Sequence, residues 1–237
     1  MKNHDHLSPA EHDHTHKSHE SSLSDELACH LPYAAFSLAL AFIILSFMHF
    51  ASLTSDHTSE TWRKGYHVLF HSFHYLHLIF AVTGTLVTYF RFARNIFIGI
   101  IISLIFPAIF CSLSDVALPT LASDLLGVPM KMHICFFQLK DLLNLLPFMI
   151  MGLITGLALR RHHESALMFL SLGSHFIHIL ISSMAAVFYV VSYGFSAWPK
   201  SMGLLYFLLV IAVVIPCTLS DIVIPMYCAR YKRKKKL

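Results

Sequence analysis

Six long apolar stretches limit this chain of 237 residues to a small set of folds. Only 13% of its residues are charged, whereas a soluble domain carries about 25%. A helix of about 20 apolar residues crosses the hydrocarbon of a bilayer and satisfies its own backbone hydrogen bonds there. We therefore predict an all-α integral membrane protein with transmembrane helices near 31–53, 66–90, 95–118, 142–160, 166–192 and 203–227.

The distribution of basic residues predicts the orientation of these helices. If the N-terminus lies in the cytoplasm, twelve of the 17 Lys and Arg residues face the cytoplasm, which is the side where such residues accumulate. We predict that both termini are cytoplasmic and that the chain is a multi-pass protein of the cell (inner) membrane. The basic run from Arg230 to Lys236 suits anionic lipid, so the bilayer is the expected partner and nucleic acid is not.

Polar residues inside the apolar stretches recur in the same order in the two halves of the chain. The recurring motifs are His74-Tyr75-Leu76-His77 with His175-Phe176-Ile177-His178, and Cys111-Ser112-Leu113-Ser114-Asp115 with Cys217-Thr218-Leu219-Ser220-Asp221. A proline follows each aspartate by four residues, at Pro119 and Pro225. Each half holds three spans, so two duplicated halves would be inverted, as in many secondary transporters.

This pattern divides the chain into five parts. The predicted parts are a His-rich cytoplasmic tail (1–28), a first three-helix repeat (29–118), an extracytoplasmic connection (119–141), a second three-helix repeat (142–227) and a basic cytoplasmic tail (228–237). The first tail has almost no apolar content, so we expect it to be disordered alone. Its short His-rich tracts are typical of metal binding, and the candidate ligands are His4, His6, His12, His14, His16 and His19.

Ionisable residues within a membrane are costly and usually functional. Histidines three apart share a helix face, and neutral imidazole is a favoured ligand of transition metals. We predict metal ligands at His74, His77, Asp115, His175, His178 and Asp221, with His67, His71, Ser114 and Ser220 as an accessory path. They would form two His–Asp clusters, one in the outer and one in the inner half of the membrane.

The alternative for each histidine is a purely structural role, in which its side chain forms a hydrogen bond to a neighbouring helix. The five cysteines contain no CxxC pair, and we interpret those in apolar segments as small buried hydrophobes.

Three functions are compatible with this pattern. The first is a secondary transporter for a divalent transition metal (zinc, nickel, cobalt, manganese or iron), with proton exchange as a candidate driving force. The second is a membrane-embedded metal-dependent hydrolase, although the chain has neither HExxH nor GxSxG. The third is a b-type haem electron carrier with axial histidines. We favour the transporter, and a second copy of the chain is a candidate partner.

Overall fold

The computed structural model describes the backbone over 23–160 and 164–234, and the side chains of 28, 30–136, 138–160 and 176–229. This part of the chain forms α-helices and short turns of other helix types, with no strand. The helices are α1 (Leu23–Thr54), α2 (Ser59–Phe92), α3 (Ile96–Ser112), α4 (Leu118–Leu125), α5 (Leu139–Leu159), α6 (Glu164–Ser192), α7 (Met202–Thr218) and α8 (Ile224–Lys234). The predicted all-helical fold is therefore confirmed.

Five helical segments are long and apolar enough to cross a membrane. They are His30–Thr54, Ser59–Phe92, Ile96–Leu125, Leu139–Leu159 and Trp198–Ala229, and α6 adds the shorter apolar stretch Phe176–Ser192. Large apolar side chains such as Phe47, Phe97 and Phe207 are mostly exposed on the outside of these helices. An apolar exterior is what lipid requires, so the prediction of a multi-pass membrane protein is confirmed.

Two of the six long helices contain a π-helical turn, at Leu113–Ala117 between α3 and α4 and at Leu219–Val223 between α7 and α8. In both turns a backbone N–H donates five residues back, from Leu118 to Leu113 and from Ile224 to Leu219. Proline is the second residue after each turn, and it has no N–H to donate to the carbonyl four residues earlier. That carbonyl belongs to the aspartate at the centre of each turn.

The third helix is longer than the sequence predicts. It continues through its π turn into α4 and ends at Leu125, and α5 begins at Leu139. Pro119 does not stop it because the proline lies in the first turn of α4, where no intrahelical donor is needed. The connection after this helix is thus 126–138, and it contains a 3₁₀ turn at Cys135–Phe137.

Helix α2 occupies the centre of the bundle and packs against α3, α5 and α6, while α6 and α7 also pack against α1. Gly152 allows α5 to approach α2 closely, because a Cβ atom there would lie 2.8 Å from Val82 Cβ and 2.9 Å from the Ile79 carbonyl oxygen. Small residues are the usual means of close helix packing in membranes. The central position of α2 places its His residues inside the bundle.

One end of the bundle, which we call the connection end, holds the start of α2, the end of α6 and residues 126–138. His67 Nε2 lies 3.2 Å from the Tyr193 hydroxyl across α2 and α6. The hydroxyl of Tyr189 accepts from the His133 N–H and donates to the Lys131 carbonyl, which ties the connection to α6. The connection is thereby folded against the helices that carry the buried histidines.

Candidate metal centre

Asp115, in the first π turn, is completely buried and accepts four hydrogen bonds. Nδ1 of His74 and Nδ1 of His77 donate to its Oδ2 over 2.9 and 2.7 Å. The hydroxyls of Ser114 and Ser182 donate to its Oδ1 over 2.8 and 2.9 Å. The carboxylate therefore fixes the orientation of both histidine rings of α2.

Asp221, in the second π turn, has fewer partners. Nδ1 of His178 donates to its Oδ2 over 2.8 Å. Oδ1 of Asp221 and the hydroxyl of Ser220 are buried without a hydrogen-bond partner in the described part of the chain. A buried polar atom without a partner is costly, so these two oxygens are suited to a cation.

His77 and His178 each contact a carboxylate through Nδ1, and Nε2 of His77 faces two cysteine sulfurs. The two rings are in contact, with centroids 4.7 Å apart. Nε2 of His77 lies 3.7 Å from Cys111 Sγ and 3.8 Å from Cys217 Sγ. The possible ligand atoms of His77, His178 and Cys217 all lie within 4.8 Å of one another. We call these three residues together with Cys111 the buried centre.

The distances in the buried centre match metal coordination. Zinc binds nitrogen at about 2.0–2.1 Å and sulfur at about 2.3 Å in a tetrahedral arrangement. A tetrahedral angle then separates the nitrogen and sulfur ligands by roughly 3.6 Å. The two observed separations around Nε2 of His77 exceed that value by about 0.1–0.2 Å. A carboxylate on Nδ1 of a metal-binding histidine is also the usual outer-shell partner.

The structure brings most of the predicted ligands close together in the interior of the bundle. The two predicted His–Asp groups, Asp115 with His74 and His77 and Asp221 with His178, are both present, and they adjoin because the rings of His77 and His178 are in contact. Oδ2 of Asp115 and Oδ2 of Asp221 accept hydrogen bonds from histidine rings and thereby orient them. The Ser114 hydroxyl donates to Oδ1 of Asp115. Ser220 lines the buried space beside His77 and Cys217.

Several predicted ligands are elsewhere or outside the described residues. His67 is exposed at the connection end, while His71 belongs to a second cluster there. The side chain of His175 and the tail histidines His4, His6, His12, His14, His16 and His19 lie outside the described part of the chain.

Cysteines are the functional candidates that the sequence interpretation missed. Cys111 and Cys217 are buried, as expected of small hydrophobes, yet both lie against His77. Each cysteine opens one copy of the repeated motif that ends in Asp115 or Asp221. That shared position was the available signal.

A second cluster at the connection end contains His71, His133 and Cys135, whose ligand atoms also lie within 4.8 Å of one another. Nδ1 of His71 donates to the His67 carbonyl over 2.9 Å. Nε2 of His133 lies 3.2 Å from Asp141 Oδ2, and its Nδ1 lies 3.2 Å from Gln138 Nε2. We call His71, His133 and Cys135 the connection cluster.

The surroundings of the connection cluster shift the acidities of its members. Burial raises the pKa of the Cys135 thiol, but interactions with the side chains of His71 and His74 outweigh burial and lower that pKa to about 7. Burial lowers the pKa of His133, and Asp141 counteracts part of that effect. A thiol with such a pKa has a substantial thiolate fraction at neutral pH, and the thiolate is the form that binds metals.

Comparisons with protein-family models, with curated proteins and with solved structures found no match for this chain. The site must therefore be interpreted from its own geometry.

Proposed function

We propose that this protein is a secondary transporter that moves a divalent transition-metal cation through the helical bundle, with the buried centre as its binding site. The observation that carries the proposal is the pair of histidines whose Nδ1 atoms are held by buried carboxylates while Nε2 of His77 meets two cysteine sulfurs. Nitrogen and sulfur ligands with oriented imidazoles are characteristic of transition-metal sites.

The types of ligand atom in the buried centre reduce the number of metals that it would bind. Thiolate and imidazole together suit zinc and its neighbours cobalt and nickel, whereas carboxylate and water suit manganese. Of the metals that the sequence allows, zinc fits a site of two imidazole nitrogens and a cysteine sulfur best, because these ligand types favour tetrahedral coordination.

The charge of the site also favours a divalent cation. Asp115 and Asp221 are buried, and the side chains described for the bundle include no buried Lys or Arg. A buried negative charge without compensation is strongly unfavourable, so the two carboxylates favour a bound cation over an empty site. Protons are the other cations that the two His–Asp pairs could hold, so we expect exchange of metal against protons.

The architecture suits alternating access. Both π turns have the sequence Leu-Ser-Asp at their start, and each places its aspartate on a histidine of the centre. We infer that the halves are inverted repeats that meet between His77 and His178, because transporters bind substrate at such an interface. Six crossings put both termini on one side, and the basic residues assign that side to the cytoplasm. The connection end then faces outward.

The two alternative functions fit the geometry less well. A bis-histidine haem needs a gap for the porphyrin between its axial ligands, yet the rings of His77 and His178 touch. A metal hydrolase keeps an open coordination position for water, whereas two cysteine sulfurs flank Nε2 of His77.

Zinc uptake into proteoliposomes tests the proposal. We expect the wild-type protein to carry zinc, and His77→Ala and Cys217→Ser to reduce the initial rate at least tenfold. Cys228→Ser is the matched control, because Cys228 is the partly buried cysteine of α8 outside both clusters. A pH-sensitive dye inside the vesicles reports proton movement in the same assay. Equal zinc uptake by wild type and His77→Ala would contradict the proposal.

A further inference from the structure

We propose that the connection cluster is a second metal-binding site, and that it serves as the mouth through which cations pass between solvent and the buried centre. The binding site is inferred from its own geometry, whereas its role as a mouth rests on the proposed transport function. Its ligands would be His71 from α2, His133 from the connection and Cys135 from the 3₁₀ turn, and zinc is the cation class that this set favours.

The imidazole of His71 is already oriented for ligation. Its Nδ1 must carry the proton because the group it contacts, the His67 carbonyl, can only accept. The lone pair is therefore on Nε2, and the ligand atoms of His71 and Cys135 lie within 4.8 Å of each other. This arrangement, with a backbone carbonyl on the other nitrogen, is a standard outer shell of metal-binding histidines.

His133 is oriented in the same way by a carboxylate. Its Nε2–H donates to Asp141 Oδ2, so Nδ1 carries the lone pair and accepts from the Gln138 amide. A metal ion would replace that amide donor at Nδ1. Gln138 is exposed at the start of α5, so its side chain can turn into solvent when the ion binds.

The connection cluster lies between solvent and the interior of the bundle. The side chain of His133 is 19% exposed and that of Asp141 is 21% exposed, whereas Cys135 is buried. An ion can therefore approach from outside past these two partly exposed groups and reach the buried sulfur of Cys135.

His74 joins the connection cluster to the buried centre. Its ring neighbours Cys135 on one side, and its Nδ1 donates to Asp115 on the other. Asp115 also holds His77, a ligand of the buried centre. His71, His74 and His77 follow one another at three-residue intervals along α2, with a rise of about 4.5 Å between neighbours. The two sites are thus about 9 Å apart along the helix, with a polar side chain at the intermediate step.

Zinc stoichiometry of the purified full chain tests the binding site. We expect Cys135→Ser to lose about one equivalent of tightly bound zinc relative to wild type, His77→Ala to lose a different single equivalent, and the double variant to lose two. His57→Ala is the matched control, because His57 is an exposed histidine at the same end of the bundle. Zinc retained in the buried centre of Cys135→Ser shows that this variant is folded. Full wild-type stoichiometry and affinity in Cys135→Ser would overturn the site.

Uptake kinetics separate the mouth role from transport itself. Cys135→Ser should raise the zinc concentration for half-maximal uptake at least fivefold and retain more than half of the maximal rate. Loss of the zinc equivalent with unchanged uptake kinetics would overturn the mouth role. Absence of zinc uptake by wild type would overturn the proposed function, and loss of the equivalent in Cys135→Ser would still support the metal site.

Discussion

The substitution Asp221→Asn separates a role in orienting a metal ligand from a role in stability. Asparagine has the shape of aspartate and can still accept from Nδ1 of His178, but it removes the negative charge. Loss of such an outer-shell carboxylate typically weakens metal binding 10–100-fold, which corresponds to about 1.4–2.8 kcal/mol. Asp221 accepts one hydrogen bond in the described structure, so the stability of the folded protein should change by only about 1 kcal/mol.

Asp115→Asn is the informative comparison, because four donors surround this carboxylate. Asparagine cannot accept from all of them, since one of its two terminal atoms is an amide nitrogen. Removing one partner of a buried charged network costs about 3–5 kcal/mol. We therefore expect Asp115→Asn to weaken zinc binding and to destabilise the protein, whereas Asp221→Asn should affect mainly zinc binding.

Both effects can be measured on purified protein in detergent. Zinc affinity is obtained by competition with a chromophoric chelator, and stability by thermal unfolding in the absence of zinc. The reasoning is refuted if Asp221→Asn binds zinc within twofold of wild type, or if it lowers the unfolding temperature as much as Asp115→Asn does.

Two further predictions concern the helices that position the site. Gly152→Ala places a methyl group 2.8 Å from Val82 Cβ, and overpacking of this kind lowers stability by about 1–3 kcal/mol. Thermal unfolding measures this loss, and Gly65→Ala is the control because Gly65 has open space around it. Pro225→Ala restores a backbone donor for the Asp221 carbonyl and favours a regular α-helix over the π turn. Conversion of the π turn to α-helical geometry would rotate Asp221 by up to about 100° around the helix axis. Zinc affinity should then fall without loss of stability. An unchanged affinity would show that the π turn does not position Asp221.

Hydropathy was sufficient to predict the helices, because lipid allows few alternatives to a long apolar helix. The predicted stretch 66–90 lies within α2, and the predicted stretch 203–227 covers α7 and continues into α8. The end of the third helix was missed, since Pro119 resembles a stop signal and is in fact accommodated after a π turn. A proline pattern alone does not distinguish these outcomes.

The candidate site was only partly predictable, for a geometric reason. Repetition pointed to His77, Asp115, His178 and Asp221, but sequence gives neither the crossing of α2 and α6 nor the direction of each ring. Those two properties decide that the carboxylates bond to Nδ1 and that Nε2 of His77 faces the cysteines. The connection cluster was missed because His133 and Cys135 belong to a loop, and only the fold returns that loop to α2.

The two halves of the buried centre are held unequally, and this difference has a mechanical consequence. Four hydrogen bonds fix Asp115 to α2, α6 and its own turn. In the described part of the chain, the Asp221 carboxylate accepts a single hydrogen bond, from His178, and otherwise lies beside Gly84, which has no side chain. A conformational change that moves the second π turn therefore breaks fewer polar contacts than one that moves the first. In an alternating-access cycle we expect the helix formed by α7 and α8 to move while α2, α6 and the first π turn stay together, so that His77 retains its orientation as Cys217 separates from it.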